Sequence, residues 1–177
     1  MNVARPRYAK ISREVGTLLS NAGVHGPAVP VEAIARQLGA RVTYNDFKNE
    51  ISGLLLRRDG SIVIGVASEQ PPARQRFTIA HELGHLVMHE GEELHVDADF
   101  RVNFRSGESS RAENVAEIEA NAFAAELLMP AEFLRRDVGG IDIDVENSDQ
   151  VDELARNYQV SSQAMMFRLM NLFGLRK

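Results

Sequence analysis

Apolar positions recur at helical spacing near the start of the chain, where Tyr8, Ile11, Val15 and Leu18 share a face after Pro6. Asn21-Ala22-Gly23 follows, with residues that accept the left-handed turn ending a helix. Pro30 opens a second, short helix whose Val31, Ile34 and Leu38 share a face, and Gly39 closes it. The period then shortens to two: residues 41–45, 51–57 and 61–66 read as strands, the last two joined by Asp59-Gly60, a dipeptide suited to a tight hairpin turn. A small antiparallel sheet is expected.

After Pro71-Pro72 the helical period returns over residues 73–90, with Phe77, Ala80, Leu83, Gly84 and Val87 able to face a core. Residues 91–111 lack periodicity and read as a long surface excursion, of the kind that is usually functional or mobile. A further helix over 112–128 stops at Met129-Pro130, because proline cannot continue the hydrogen-bond ladder. Short helices are expected at 131–137, 149–158 and 161–173, the last with Ser161 as N-cap. The pattern is that of an α+β fold: a small, mainly antiparallel sheet packed on helices.

Composition narrows the chemistry. The 177 residues are 44% hydrophobic and 25% charged, an ordinary globular balance, and no stretch approaches the run of about 20 apolar residues that a membrane helix needs. Residues 1–10 carry Arg5, Arg7 and Lys10 but lead into no apolar run, so a cytoplasmic protein without signal peptide or lipid anchor is expected. The net charge of -5 provides no general attraction to nucleic acid. With no cysteine in the chain, only His, Asp and Glu remain as metal ligands.

Those residues concentrate at His81-Glu82-Leu83-Gly84-His85, an H-E-x-x-H inside an expected helix. Positions i and i+4 project side by side, so two imidazoles can bind one ion. A catalytic zinc takes a third protein ligand and leaves room for water. His89 is eight residues from His81, about 12 Å along a continuous helix, too far to share an ion at about 2 Å. The metzincin pattern requires Gly at position 88 and His at position 91, where Met88 and Gly91 stand. A carboxylate from the 112–128 helix is therefore expected, from among Glu113, Glu117, Glu119 and Glu126. Glu119 projects about 160° of arc away from Glu117, so the two cannot share one role. Spacing favours Glu117, because Asn121 one turn later can hold a ligand His from behind, and it leaves Glu113 open on the same stripe.

The segment from Arg74 through His85, together with Glu117-Ile118-Glu119-Ala120-Asn121-Ala122-Phe123-Ala124-Ala125-Glu126-Leu127-Leu128-Met129-Pro130, resembles the ImmA/IrrE family of metallopeptidases. Leu154-Ala155 and residues 160–165 are more loosely similar to that family's C-terminal helices. The resemblance implies a zincin-like metallopeptidase core over residues 1–140 and a helical, helix-turn-helix-like extension over 141–177 packed on it. It matches His81 and His85 to the family's two motif ligands and Glu117 to the third. Zinc is the ion so implied, and manganese is also accepted by His/His/Glu ligation. Bound zinc acidifies water toward pKa ~7, and Glu82 is the expected catalytic base, passing the proton on to the leaving amine. The resemblance further implies a cytoplasmic endopeptidase that cuts a helix-turn-helix (Xre-type) repressor and so releases genes under stress or in a mobile element. The alternative is a regulatory or antitoxin-like protein- or DNA-binding module with a non-catalytic metal site.

Several residues outside the motif are assigned by weight of chemistry. The oxyanion donor is not identified, and His89, His95, Tyr44 and Tyr158 read as surface or packing residues, with His25 in a loop. Residues 62–66, as an edge strand, would let an extended substrate add by main-chain hydrogen bonds. Residues 92–119 hold eight acids and three arginines, net -5, a field suited to a metal or a basic protein. From residue 141 onward four basic residues face six acids, which argues against direct DNA binding and for packing through Leu154, Met165, Met166, Leu169 and Phe173.

Overall fold

The computed structural model describes residues 5–47, 51–89, 93–98, 111–139 and 148–174. In chain order the elements are α1 (Tyr8–Asn21), α2 (Val31–Gln37), β1 (Ala40–Asn45), β2 (Ile51–Arg58), β3 (Ser61–Ala67) and α3 (Pro72–Met88). Then come β4 (Leu94–Ala98), α4 (Arg111–Leu128), α5 (Ala131–Val138), α6 (Ser148–Tyr158) and α7 (Ser162–Phe173). This is the expected α+β arrangement. The turn chemistry holds where it was expected: Gly23 and Gly39 follow α1 and α2 with positive φ, as do Asp59 and Gly60 in the hairpin. Ser161 caps α7 by accepting the Ala164 N–H at 3.2 Å.

The four strands lie in the order β1-β3-β2-β4. The pairs β3-β2 and β2-β4 are antiparallel, while β1-β3 is parallel, so the sheet is mixed. This corrects two expectations. The strand over 62–66 is not an edge: β3 is flanked on both sides, and the edges are β1 and β4. The 91–111 segment is not purely an excursion either, because it contributes β4, which pairs with β2 through Leu55↔His95 and Leu54↔Val96. Periodicity fails there because the alternation is inverted. Leu94 and Val96 point outward at 47% and 45% exposure, while the less exposed position between them is a histidine. The remainder of that segment, and the expected boundary near residue 140, lie outside the described residues.

One core cluster joins the elements. Ile11, Val15 and Leu19 of α1 meet Ile34 of α2, Leu55 and Ile64 of the sheet, Ile79 and Leu83 of α3, and Phe123 and Leu127 of α4. The cluster continues into Val151, Ala155 and Tyr158 of α6 and Met165 and Leu169 of α7. Tyr158 packs as expected, and its hydroxyl donates to Asp137 at 2.6 Å. Arg168, counted above among the tail's few cations, is used for packing: it pairs with Glu126 and donates to the Met129 carbonyl at 3.0 Å. Leu154 and Met166 are partly buried against the core, whereas Phe173 is 37% exposed.

The contact that places the site is between α3 and α4, and a glycine permits it. A Cβ on Gly84 would stand 2.9 Å from Ala120 Cα and 3.1 Å from Phe123 Cβ, closer than packed atoms sit. The fourth residue of the H-E-x-x-H motif thus lets the two backbones approach closely enough for side chains of both helices to meet.

Candidate metal centre

His81, Glu82 and His85 are all buried, on a helix whose inward face is otherwise filled by Ile79, Ala80 and Leu83. Buried polar groups are costly without partners, so what surrounds them defines what they are for. His81 Nε2 and His85 Nε2 lie 3.0 Å apart. Glu117 of α4 reaches them from the facing helix, Oε2 to His81 Nε2 at 3.3 Å and Oε1 to His85 Nε2 at 3.2 Å. Asn121, one turn beyond Glu117, places its Oδ1 3.1 Å from His81 Nδ1, the backing contact that the spacing suggested. Glu113 offers no comparison, since its side chain lies outside the described residues.

His95 joins the same cluster. Its Nε2 is 3.4 Å from Glu117 Oε1, and its ring centroid is 3.9 Å from that of His85. One ligand atom from each of His81, His85, His95 and Glu117 falls within a 4.8 Å span. Sequence reasoning assigned His95 to surface or packing. The one signal that would have found it is the inverted apolar-polar alternation of Leu94-His95-Val96, unusual for a strand unless the polar side faces a site.

The donor set fits a divalent ion. Tetrahedral bonds of about 2.0–2.1 Å would put donor atoms roughly 3.3 Å apart, close to the spacings found. Burial pulls the His85 imidazole down to about 4, outweighing its hydrogen bond to Glu117, with His81 and His95 lowering it further. It is therefore neutral at pH 7 and offers a lone pair. Burial by itself would raise the Glu117 carboxyl, but hydrogen bonds from His81, His85 and His95 hold it well below the usual carboxylate range. The site accordingly presents imidazoles around one carboxylate charge.

Glu82, between the two histidines, lies against the sheet. A Cβ on Gly53 of β2 would be 3.1 Å from Glu82 Oε1 and 2.4 Å from Thr78 Cγ2, so glycine is required for β2 to run beside this carboxylate. Arg57, farther along β2, donates to the His85 carbonyl at 2.9 Å and the His89 carbonyl at 3.3 Å. Burial lowers the Arg57 guanidinium and the nearby Glu82 charge raises it.

The two residues set aside as ligands, His89 and Glu119, lie outside the four-residue group, although the helix that was to carry His89 away from His81 ends before it. α3 ends at Met88, two residues short of the expected end, and His89 is extended at φ -123°. Its ring returns toward the site without joining the four-residue group: Nδ1 is 3.3 Å from His85 Nδ1, and Nε2 is 3.0 Å from Glu119 Oε2. Glu119 pairs with Arg7 at 2.7 Å. Tyr44 hydrogen-bonds Glu32 away from the site, and partial burial of its hydroxyl together with that bond pushes it up to about 12. The His25 carbonyl accepts from Arg136 at 2.8 Å. Among the described residues no helix is long and apolar enough to cross a membrane.

Similarity to known proteins extends over most of the chain. The peptidase family model M78, described as the IrrE N-terminal-like domain, matches residues 35–170. The radiation response metalloprotease IrrE of Deinococcus deserti is 39% identical over 83 residues, 44% of this chain and 28% of that protein. Its counterpart from Deinococcus radiodurans is 34% identical over 121 residues, 63% of this chain and 33% of that protein. The chain thus spans a third or less of the length of these relatives. A Mycobacterium tuberculosis transcriptional regulator superposes with a TM-score of 0.61 at 20% identity, covering 91% of this chain and 46% of that one, a likeness of fold.

Proposed function

Because the chain belongs to the peptidase family of IrrE N-terminal-like domains, we propose that it is a zinc-dependent endopeptidase. His81, His85 and Glu117 would hold the ion, which supplies Lewis acidity: it acidifies water and polarises the scissile carbonyl. Glu82, buried on the same helical turn, takes the proton released from water and delivers it to the leaving amine. Asn121 orients the His81 ring, and Gly53 leaves the space in which the Glu82 carboxylate sits. The observation that carries the reading is the convergence of the His81, His85 and Glu117 donor atoms at 3.0–3.3 Å beside a buried, motif-placed carboxylate.

The substrate proposed is a helix-turn-helix repressor of Xre type, the class implied by resemblance to the ImmA/IrrE family. The test is co-expression of the wild type or Glu82→Gln with a candidate repressor, reading both bound metal and a shortened repressor fragment. The expected result is a fragment with the wild type alone and equal zinc in both. A fragment from both proteins removes Glu82 from the mechanism. A second reading, a regulatory module with a closed, non-catalytic site, is favoured by one observation: His95 gives the cluster a fourth protein donor, as in structural zinc sites. The buried base at Glu82 weighs the other way, since a structural site has no use for one.

A further inference from the structure

The Nδ1 of a ligand histidine decides whether its Nε2 can bind an ion, because a neutral imidazole carries one proton and one lone pair. For His81 the partner is an amide oxygen, the Asn121 Oδ1 at 3.1 Å, which accepts the Nδ1 proton when Nε2 holds the ion. For His85 the partner is another histidine, so the proton must be traced further.

The trace begins at Glu119. Its Oε1 accepts from the Arg7 backbone N–H at 2.7 Å and from Arg7 Nε at 2.9 Å. Its Oε2 accepts from the second Arg7 nitrogen at 2.7 Å and faces His89 Nε2 at 3.0 Å. A carboxylate held by a guanidinium is an acceptor only, so His89 must present N–H at Nε2. A His89 whose proton sits on Nε2 accepts at Nδ1, which lies 3.3 Å from His85 Nδ1. With an ion in place of its hydrogen bond to Glu117, His85 donates from Nδ1 and leaves the lone pair on Nε2, the atom facing His81 and Glu117. The backbone around this chain is pinned: Arg7 also donates to the Met88 carbonyl at 3.1 Å, and Arg57 to the His85 and His89 carbonyls.

We propose that Arg7, Glu119 and His89 form a positioning chain that sets the tautomer of His85 and aims its Nε2 lone pair at the metal. None of the three touches the ion; they act through His85, as outer partners of metal-bound histidines do. The inference rests on the metal-site reading above and adds to it a reason for Glu119, which geometry excluded as a ligand, to be buried at the far side of the same histidine.

The test is a zinc dissociation constant, by chelator competition, for wild type, His89→Phe and Glu119→Gln. It is joined by long-range proton–nitrogen correlation spectra of the zinc-loaded wild type. The expected result is a loss of about 10–100-fold in zinc affinity for both variants with the fold retained by circular dichroism. The spectra should show His89 protonated at Nε2 and bare at Nδ1, and His85 protonated at Nδ1. Folded variants that bind zinc within about twofold of wild type overturn the chain alone, since outer partners of this kind change affinity by more. A His89 protonated at Nδ1 overturns it as well, and needs no variant to be stable. A wild type that binds no zinc overturns the proposed function and this chain together.

Discussion

Glu117 and Glu119 stand two residues apart on one helix, each within reach of histidine, and they solve the problem of a buried charge in opposite ways. Glu119, 1% exposed, is neutralised inside the fold: an arginine grips both oxygens, and a histidine takes the remaining lone pair. Glu117, 20% exposed, is met by His81, His85 and His95, and among the described residues no Arg or Lys pairs with it. A carboxylate given its own cation is finished; one given lone-pair donors has charge and ligands to offer a dication. The difference separates a carboxylate satisfied within the fold from a metal-ready one on the same helix, and it follows from what each faces, since residue type and helix are the same.

The comparison is broken most forcefully at Glu117. Glu117→Gln is expected to lower zinc affinity by more than the roughly 100-fold ceiling of outer-partner substitutions, while the metal-free protein melts no lower than wild type. Isothermal titration and thermal melts measure both, and a marked fall in the metal-free melting temperature would show that Glu117 is structural after all. Next in size is the helix contact on which both carboxylates depend. Gly84→Val would force α3 from Ala120 and Phe123, costing about 1–3 kcal/mol in denaturant unfolding and weakening zinc binding with it. Normal zinc binding in a folded Gly84→Val protein would show that the close approach is not what brings Glu117 to the histidines.

Acid separates the two residues by sign. Arg7, by side-chain hydrogen bond, holds the Glu119 carboxyl down to about 2 from 4.5, against burial and with help from His89. A depressed carboxylate contributes stability that is full above its unfolded value of 4.5 and is lost as pH falls through about 2. Melting of the metal-free protein between pH 5 and about 2 should therefore slope less in Glu119→Gln than in wild type, and equal slopes would remove Glu119 from the acid response. The smallest effect sharpens the comparison from outside. Ser161→Ala removes the cap of α7 and should cost about 1 kcal/mol with zinc affinity untouched, so a change in affinity would mean that the tail is coupled to the site.

Much of this was legible in one dimension because local rules dominate where they apply. The two-residue turn at Asp59-Gly60, the glycine after α1, the proline stop at Met129-Pro130 and the i, i+4 geometry of His81 and His85 are each set by residues next to one another in sequence. Asn121 was legible for the same reason, one helical turn from Glu117. What was not legible depends on distant partners. Arg7 and Glu119 are 112 positions apart, and neither sequence neighbourhood hints at the other. The interior place of β3 follows from a parallel partner, β1, that periodicity cannot reveal. His95 escaped because a strand that turns its polar side inward looks, in hydropathy alone, like a strand facing the other way. His89 escaped because ending α3 at Met88 instead of two residues later frees its ring to turn back toward His85.

The central claim is that one divalent ion belongs between α3 and α4, and it is tested most directly by anomalous diffraction at the zinc edge from crystals of the zinc-loaded protein. The account predicts one peak per chain, bonded to His81 Nε2, His85 Nε2 and a Glu117 oxygen. A zinc-loaded crystal with no peak at these three residues, or with its zinc bound elsewhere, would contradict it.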